Sequence, residues 1–129
     1  MMRKFLAVVL IGFLFGAGMA LANTEALDGK TFVGQIGKAG RTKGDKDQFV
    51  FKEGTFRSAA CDPYGFKEAA YTTVPSENAT AFRAEAASPK GDKMVWNGMA
   101  QEDRVSGTAV WERPGKKPVE YWFRGELKE

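Results

Sequence analysis

The chain has 129 residues, no histidine and a single cysteine, and its 19 basic and 16 acidic residues give a formal net charge of +3. The absence of histidine excludes the Ser-His nucleophile pair and most zinc and copper sites. One cysteine cannot form an internal disulfide, so Cys61 is a buried structural thiol, a free thiol or an intermolecular link.

The N-terminus has the pattern of a cleaved secretory leader. A basic pair at positions 3 and 4 precedes an uncharged run from Phe5 to Ala22, which ends in Ala20-Leu21-Ala22. Small residues at both ends of that tripeptide fit a signal peptidase site, so we predict a signal peptide over residues 1–22 and a mature domain over residues 23–129. An uncleaved membrane anchor is the alternative. We expect a periplasmic or secreted protein without a membrane span after cleavage.

The predicted mature domain is nearly neutral. Arg3 and Lys4 leave with the leader, so 17 basic residues remain against 16 acidic residues, a net charge of +1. The two signs alternate along the chain without a dense basic block, which is typical of a solvated surface and not of a groove that follows phosphates. We therefore expect no nucleic-acid partner.

Strands dominate the first half of this domain, because apolar residues recur at every second position and Gly, Pro and Asx interrupt the pattern at short intervals. A glycine- and lysine-rich stretch, Lys38 to Lys46, is predicted to be an exposed loop. Glu53-Gly54 predicts a tight hairpin, since glycine at the second turn position supplies a positive φ. An amphipathic helix over Phe66 to Tyr71 is the alternative to the fourth strand. The four predicted strands are Lys30–Gly37, Gln48–Lys52, Thr55–Ser58 and Phe66–Val74.

The second half is the more regular part. On its first strand we expect Phe82, Ala84 and Ala86 to face inward, and Arg83 and Glu85 to face water. Eight strands in sequence order, joined by short turns, predict an all-β fold: an eight-stranded antiparallel up-and-down barrel, with a small β-sandwich as the alternative. The predicted strands of this half are Thr80–Ala87, Lys93–Gln101, Arg104–Arg113 and Val119–Leu127.

Two segments of the chain resemble the calycins, which comprise the lipocalins, fatty-acid-binding proteins and avidins. LDGKTFVGQIG is similar to their first strand, with Gly29 ahead of an aromatic residue, although Phe32 stands where these families often have tryptophan. The closing KMVWNGMAQEDRVSGTAVWERPGKKPVEYWFRGELK is similar to the end of many small bacterial barrel proteins of this type. The resemblance covers nearly the whole mature chain, and it implies a barrel fold and a binding role.

Aromatic side chains at inward-facing strand positions form the candidate ligand site. Small residues at other inward-facing positions, such as Gly98 and Gly107, leave room beside them, and such a pocket suits an apolar or aromatic molecule. The alternative is that the aromatic residues fill the interior, because an eight-stranded barrel is barely wide enough for its own side chains. The candidate binding residues are Phe32, Tyr71, Phe82, Trp96, Trp111, Tyr121 and Phe123.

The sequence predicts an exported binding protein that holds a small hydrophobic or aromatic ligand, with no catalysis, no cofactor and no metal. Its glutamates lie mostly at turns or at outward strand positions and do not form a cluster suited to acid-base chemistry. The alternative is a protein-interaction module, or an inhibitor of an envelope or secreted enzyme, with a solid core. The outward position of Trp122 favours that alternative, since exposed aromatic residues mark protein interfaces.

Overall fold

A computed structural model describes residues 26–129, and the predicted leader lies outside the described residues. Each strand pairs antiparallel with the next one along the chain, and the last strand pairs with the first, so the sheet is a closed barrel. This confirms the predicted eight-stranded up-and-down barrel over the sandwich. The elements are β1 (Thr31–Lys38), β2 (Asp45–Lys52), β3 (Thr55–Ser58), the 3-10 helix η1 (Ala59–Tyr64), β4 (Ala69–Pro75), β5 (Thr80–Ala87), β6 (Lys93–Gln101), β7 (Arg104–Glu112) and β8 (Val119–Leu127).

The side chains alternate between the interior and the solvent, as the period of two predicts. On β5, Phe82, Ala84 and Ala86 are buried while Arg83 and Glu85 are exposed. Successive side chains of a strand point to opposite faces of a sheet, and closure of the sheet makes one of those faces the core.

The loop between β1 and β2 is shorter than predicted. We expected a loop from Lys38 to Lys46, whereas β1 extends to Lys38 and β2 begins at Asp45. Ile36 pairs with Asp45, so the ladder continues into residues without an apolar alternation. Backbone hydrogen bonds to a neighbouring strand hold these residues extended, and the pattern of apolar side chains does not predict such bonds.

The largest difference from the prediction lies between β3 and β4. The chain forms the helix η1 after Ser58, and Gly65 ends it with a φ of 91° and an N–H that donates to the Asp62 carbonyl at 3.0 Å. The fourth strand starts at Ala69, so neither the predicted start at Phe66 nor the alternative helix through Tyr71 is correct. Asp62-Pro63 favours a turn, and η1 with the segment after it lies over one end of the barrel.

The hairpin between β2 and β3 forms as predicted. Glu53 and Gly54 have φ values of 53° and 78°, the two positive angles of a type I′ turn. Glycine adopts this conformation without a steric penalty, whereas Glu53 adopts it at some cost in backbone energy. Ladder pairs on both sides of the turn, Lys52 with Thr55 and Phe51 with Phe56, set the register.

The two ends of the barrel differ. One, the closed end, is covered by the turn that precedes β1, in which Leu27 is buried. The Leu27 N–H donates to the Tyr71 hydroxyl oxygen at 3.1 Å, and that hydroxyl donates to the Asp28 carboxylate at 2.6 Å. Asp28 also accepts the Gly54 N–H at 3.0 Å, which joins the covering turn to the hairpin. The other, the open end, is formed by residues 39–44, 59–68, 88–92 and 113–118.

Candidate functional site

The middle of the barrel is filled with side chains. Five of the seven candidate binding residues are at most 3% exposed, and they pack ring against ring with the other interior phenylalanines. The Trp96 ring lies 5.2 Å from that of Phe123 and 4.9 Å from that of Phe56, centroid to centroid. These five residues are therefore core residues: Phe32, Tyr71, Phe82, Trp96 and Phe123.

Gly98, one of the small residues at inward-facing positions, does not leave a void at this level. A Cβ atom on Gly98 would lie 2.4 Å from the Phe82 ring and 2.7 Å from the Phe123 ring. The space that glycine leaves on β6 is thus taken by two aromatic rings. Contacts this close would force a larger residue to displace packed rings, which a core at crystal-like density resists.

The remaining two candidates, Trp111 and Tyr121, are half-buried and line a cavity of about 410 Å³ at the open end. This size lies within the range of small-molecule sites in proteins. The apolar part of the lining lies on β1, η1, the segment after η1 and β6. The cavity residues are Ile36, Gly37, Lys38, Arg41, Lys43, Gly44, Asp45, Ala60, Cys61, Tyr64, Phe66, Met94, Trp111 and Tyr121.

One wall of the cavity is aromatic, and a hydrogen bond and ring contacts hold its tryptophan in place. The Trp111 indole N–H donates to the buried carboxylate of Asp92 at 3.1 Å, which fixes the orientation of the ring. Tyr64 meets Trp111 edge to face at 5.7 Å, and the Arg113 guanidinium lies 4.8 Å from the ring centroid. Burial raises the pKa of the Tyr121 phenol further above neutral pH, where the hydroxyl is a neutral donor and acceptor.

Cys61 contributes its thiol to the same cavity. It is free and buried, and burial raises its pKa to about 11, with a hydrogen bond to Ser58 acting weakly in the opposite direction. At neutral pH the group is a thiol and not a thiolate, and the thiol is the unreactive form. Its part in the cavity is that of a small apolar surface.

Asp47 holds the helix η1 over the open end, and the sequence analysis did not single it out. Its side chain is buried on β2 and accepts the Ser58 hydroxyl at 2.5 Å, the Ala60 N–H at 2.9 Å and the Gln48 N–H at 2.7 Å. Burial raises the pKa of Asp47, while these hydrogen bonds lower it by a smaller amount. A carboxylate at an inward position of β2 is the one sequence signal that could have identified it, since a buried charge needs partners.

Another wall is the β1–β2 loop, residues 39–44, taken together with Lys38 at the end of β1. Lys38, Arg41 and Lys43 line the cavity there, and Asp45 is the one carboxylate in its lining. Trp122 lies on the outer face of β8 as predicted, but it is half-buried and supports this loop. Its indole N–H donates to the Arg41 carbonyl at 2.7 Å. The outward-facing Trp122 therefore also makes an internal contact.

Within residues 26–129, no group of three or more Asp, Glu and Cys side chains is arranged to hold a metal ion, and no helix is long and apolar enough to cross a membrane. No protein-family model, curated protein or solved structure gives a significant match to this chain. The class of protein that the fold defines is a small closed antiparallel barrel with one covered end and a cavity at the other.

Proposed function

We propose that this protein is an exported, calycin-like binding protein that holds a small apolar or aromatic molecule in the cavity at the open end. The observation that carries the proposal is the combination of about 410 Å³ of space with an anchored indole, Trp111, and a half-buried phenol, Tyr121. Aromatic walls with a few polar tips are typical of sites for such ligands. The export part rests on the leader pattern of residues 1–22.

The proposed role is binding without catalysis. The chain has no histidine, and its one thiol has a pKa of about 11, so the usual general base and the usual activated nucleophile are both missing from the cavity. Asp47 is engaged in holding η1 and is not among the lining residues. A site of this composition supplies shape and hydrogen bonds to a ligand.

A dye titration tests the cavity. N-phenyl-1-naphthylamine, a neutral aromatic probe, should give saturable fluorescence with the unmodified protein. Ala60→Phe, which places a ring in the cavity, should abolish that signal. Ala70→Phe makes the same change at an exposed position of β4 and should bind the dye normally. A flat response of the unmodified protein to this dye, to fatty acids and to other hydrophobic dyes would refute the proposal.

Native mass spectrometry of the protein purified from its own host tests both the cleavage of the leader and the presence of a bound ligand. We expect a chain that begins at Asn23 and carries a small-molecule adduct. A chain that begins at Met1, or a complex with a second protein in place of the adduct, would support the anchor or the interaction-module alternative instead.

A further inference from the structure

We propose that the ligand of the open-end cavity is an anionic amphiphile, a small aromatic or apolar body that carries one carboxylate, sulfonate or phosphate group, and that the β1–β2 loop binds the anionic group. This inference rests on the proposed binding function and adds the charge and the orientation of the ligand. The observation that supports this inference is the asymmetry of the cavity lining, which is basic on the loop side and aromatic or apolar elsewhere.

The basic side chains of the loop have no ionic partner of their own. Neither Lys38, Arg41 nor Lys43 forms an ion pair with any carboxylate of residues 26–129. Two other arginines of the barrel do: Arg57 pairs with Asp62 at 3.0 Å and Arg83 with Glu85 at 2.8 Å. Three cations against the single lining carboxylate of Asp45 leave the loop side of the cavity with an excess of positive charge, whereas the predicted mature domain as a whole has a net charge of only +1. A concave site of one sign raises the local concentration of the opposite ion.

The loop is also held in place before any ligand arrives. The Ala39 N–H donates to the Glu120 carbonyl at 2.9 Å, and the Arg41 N–H donates to the Lys38 carbonyl at 3.0 Å. Gly40, with a φ of 90°, makes this tight turn possible. The Trp122 indole then holds the Arg41 carbonyl from the outer face. A fixed backbone lowers the conformational entropy lost when the basic side chains contact an anion.

A fourth cation lies on the aromatic side. The Arg113 guanidinium lies over the face of Trp111, and its Nε is buried without a hydrogen-bond partner among the described residues. Arg113 adds to the positive potential around the cavity without an ion pair that would cancel it. The cavity volume of about 410 Å³ fits a ligand of the size of a drug-like molecule.

Two dyes with the same aromatic body test the inference. 1-Anilinonaphthalene-8-sulfonate is N-phenyl-1-naphthylamine with an added sulfonate, so the ratio of their dissociation constants isolates the charge. At low ionic strength we expect the anionic dye to bind roughly tenfold more tightly, and we expect salt to reduce this advantage. The triple variant K38Q/R41Q/K43Q should lose it.

The triple variant K52Q/R104Q/K128Q is the matched control, because it removes three charges from exposed positions at the closed end. It should keep the preference for the anionic dye. Equal binding of both dyes by the unmodified protein, or a preference that survives in K38Q/R41Q/K43Q, would overturn the anion inference and leave the binding function intact. Failure of both dyes, of fatty acids and of other hydrophobic dyes to bind would overturn the binding function itself, so the two failures are distinguishable.

Discussion

At the scale of single residues, the open end depends on buried polar groups whose partners are distant in sequence. Asp47 is the clearest case, since one carboxylate receives hydrogen bonds from Ser58 and Ala60 and thereby attaches η1 to β2. The predicted second strand begins at Gln48 and leaves Asp47 out, and the sequence does not reveal that a helix returns over this residue. Cys61 is similar: its three possible roles could be named from the sequence, and only its burial distinguishes a structural thiol.

Substitution of Asp47 tests this attachment. Asp47→Ala should reduce the free energy of unfolding by about 2–3 kcal/mol, because it leaves buried donors without an acceptor. Asp47→Asn should remain within about 1 kcal/mol of the unmodified protein at neutral pH, because the amide oxygen can accept the Ala60 and Gln48 N–H groups while its NH₂ donates to Ser58. Urea unfolding of both variants measures the difference.

The unmodified protein and Asp47→Asn should also differ in how their stability depends on pH. The pKa of Asp47 is raised in the folded state from 3.8, so the folded state holds the proton more tightly than the unfolded state does. Stability of the unmodified protein relative to Asp47→Asn should therefore increase as the pH falls through the folded-state pKa towards 3.8, and should then be constant below that value. A relative stability that decreases over this interval would show that the hydrogen bonds outweigh the burial.

At the scale of elements, the strands follow from the period of two, and the segments between them do not. Predicted and observed bounds coincide for β3, β5, β6 and β8, where alternation and turn residues agree. The loop after β1 and the segment before β4 differ, because the first is held by pairing with its neighbour and the second by the buried contacts of η1. These two segments also contribute much of the cavity lining.

Trp122 offers a test of how the β1–β2 loop is held. Trp122→Phe keeps an aromatic ring and removes the indole N–H that binds the Arg41 carbonyl, at a cost of about 0.5–1.5 kcal/mol in loop stability. Amide hydrogen exchange in residues 39–44 should become faster, as measured by mass spectrometry. Trp111→Phe loses an indole N–H in the same way, but that group binds Asp92, so exchange in the loop should not change. Equal acceleration in both variants would argue against a specific contact.

At the scale of the whole molecule, the sheet closes on itself. β8 pairs with β1 over seven residue positions, from Phe32 with Leu127 to Lys38 with Tyr121, so no strand is left as an edge. The aromatic core extends across the middle of this single sheet and contacts most of its strands. Local loss of one strand would expose the core shared by the others, which favours unfolding in a single step.

Tryptophan fluorescence tests this cooperativity. A protein that retains only Trp96 reports on the core, and one that retains only Trp111 reports on the open end, with phenylalanine at the other two positions. Each variant should show a urea midpoint by its own fluorescence that coincides with its midpoint by circular dichroism. An earlier fluorescence transition for the Trp111 protein alone would mean that the open end unfolds independently of the barrel.

The sequence by itself determined the architecture, because alternating apolar residues and turn residues act locally: they decide which side of each strand faces inward and where the chain reverses. It also determined the set of inward-facing aromatic residues, with Trp111 and Tyr121 among them. Only the tertiary structure decided which of these fill the core and which border a cavity. That division depends on how ring volumes meet across the barrel and on contacts such as that of Trp122 with Arg41, which join residues 81 positions apart.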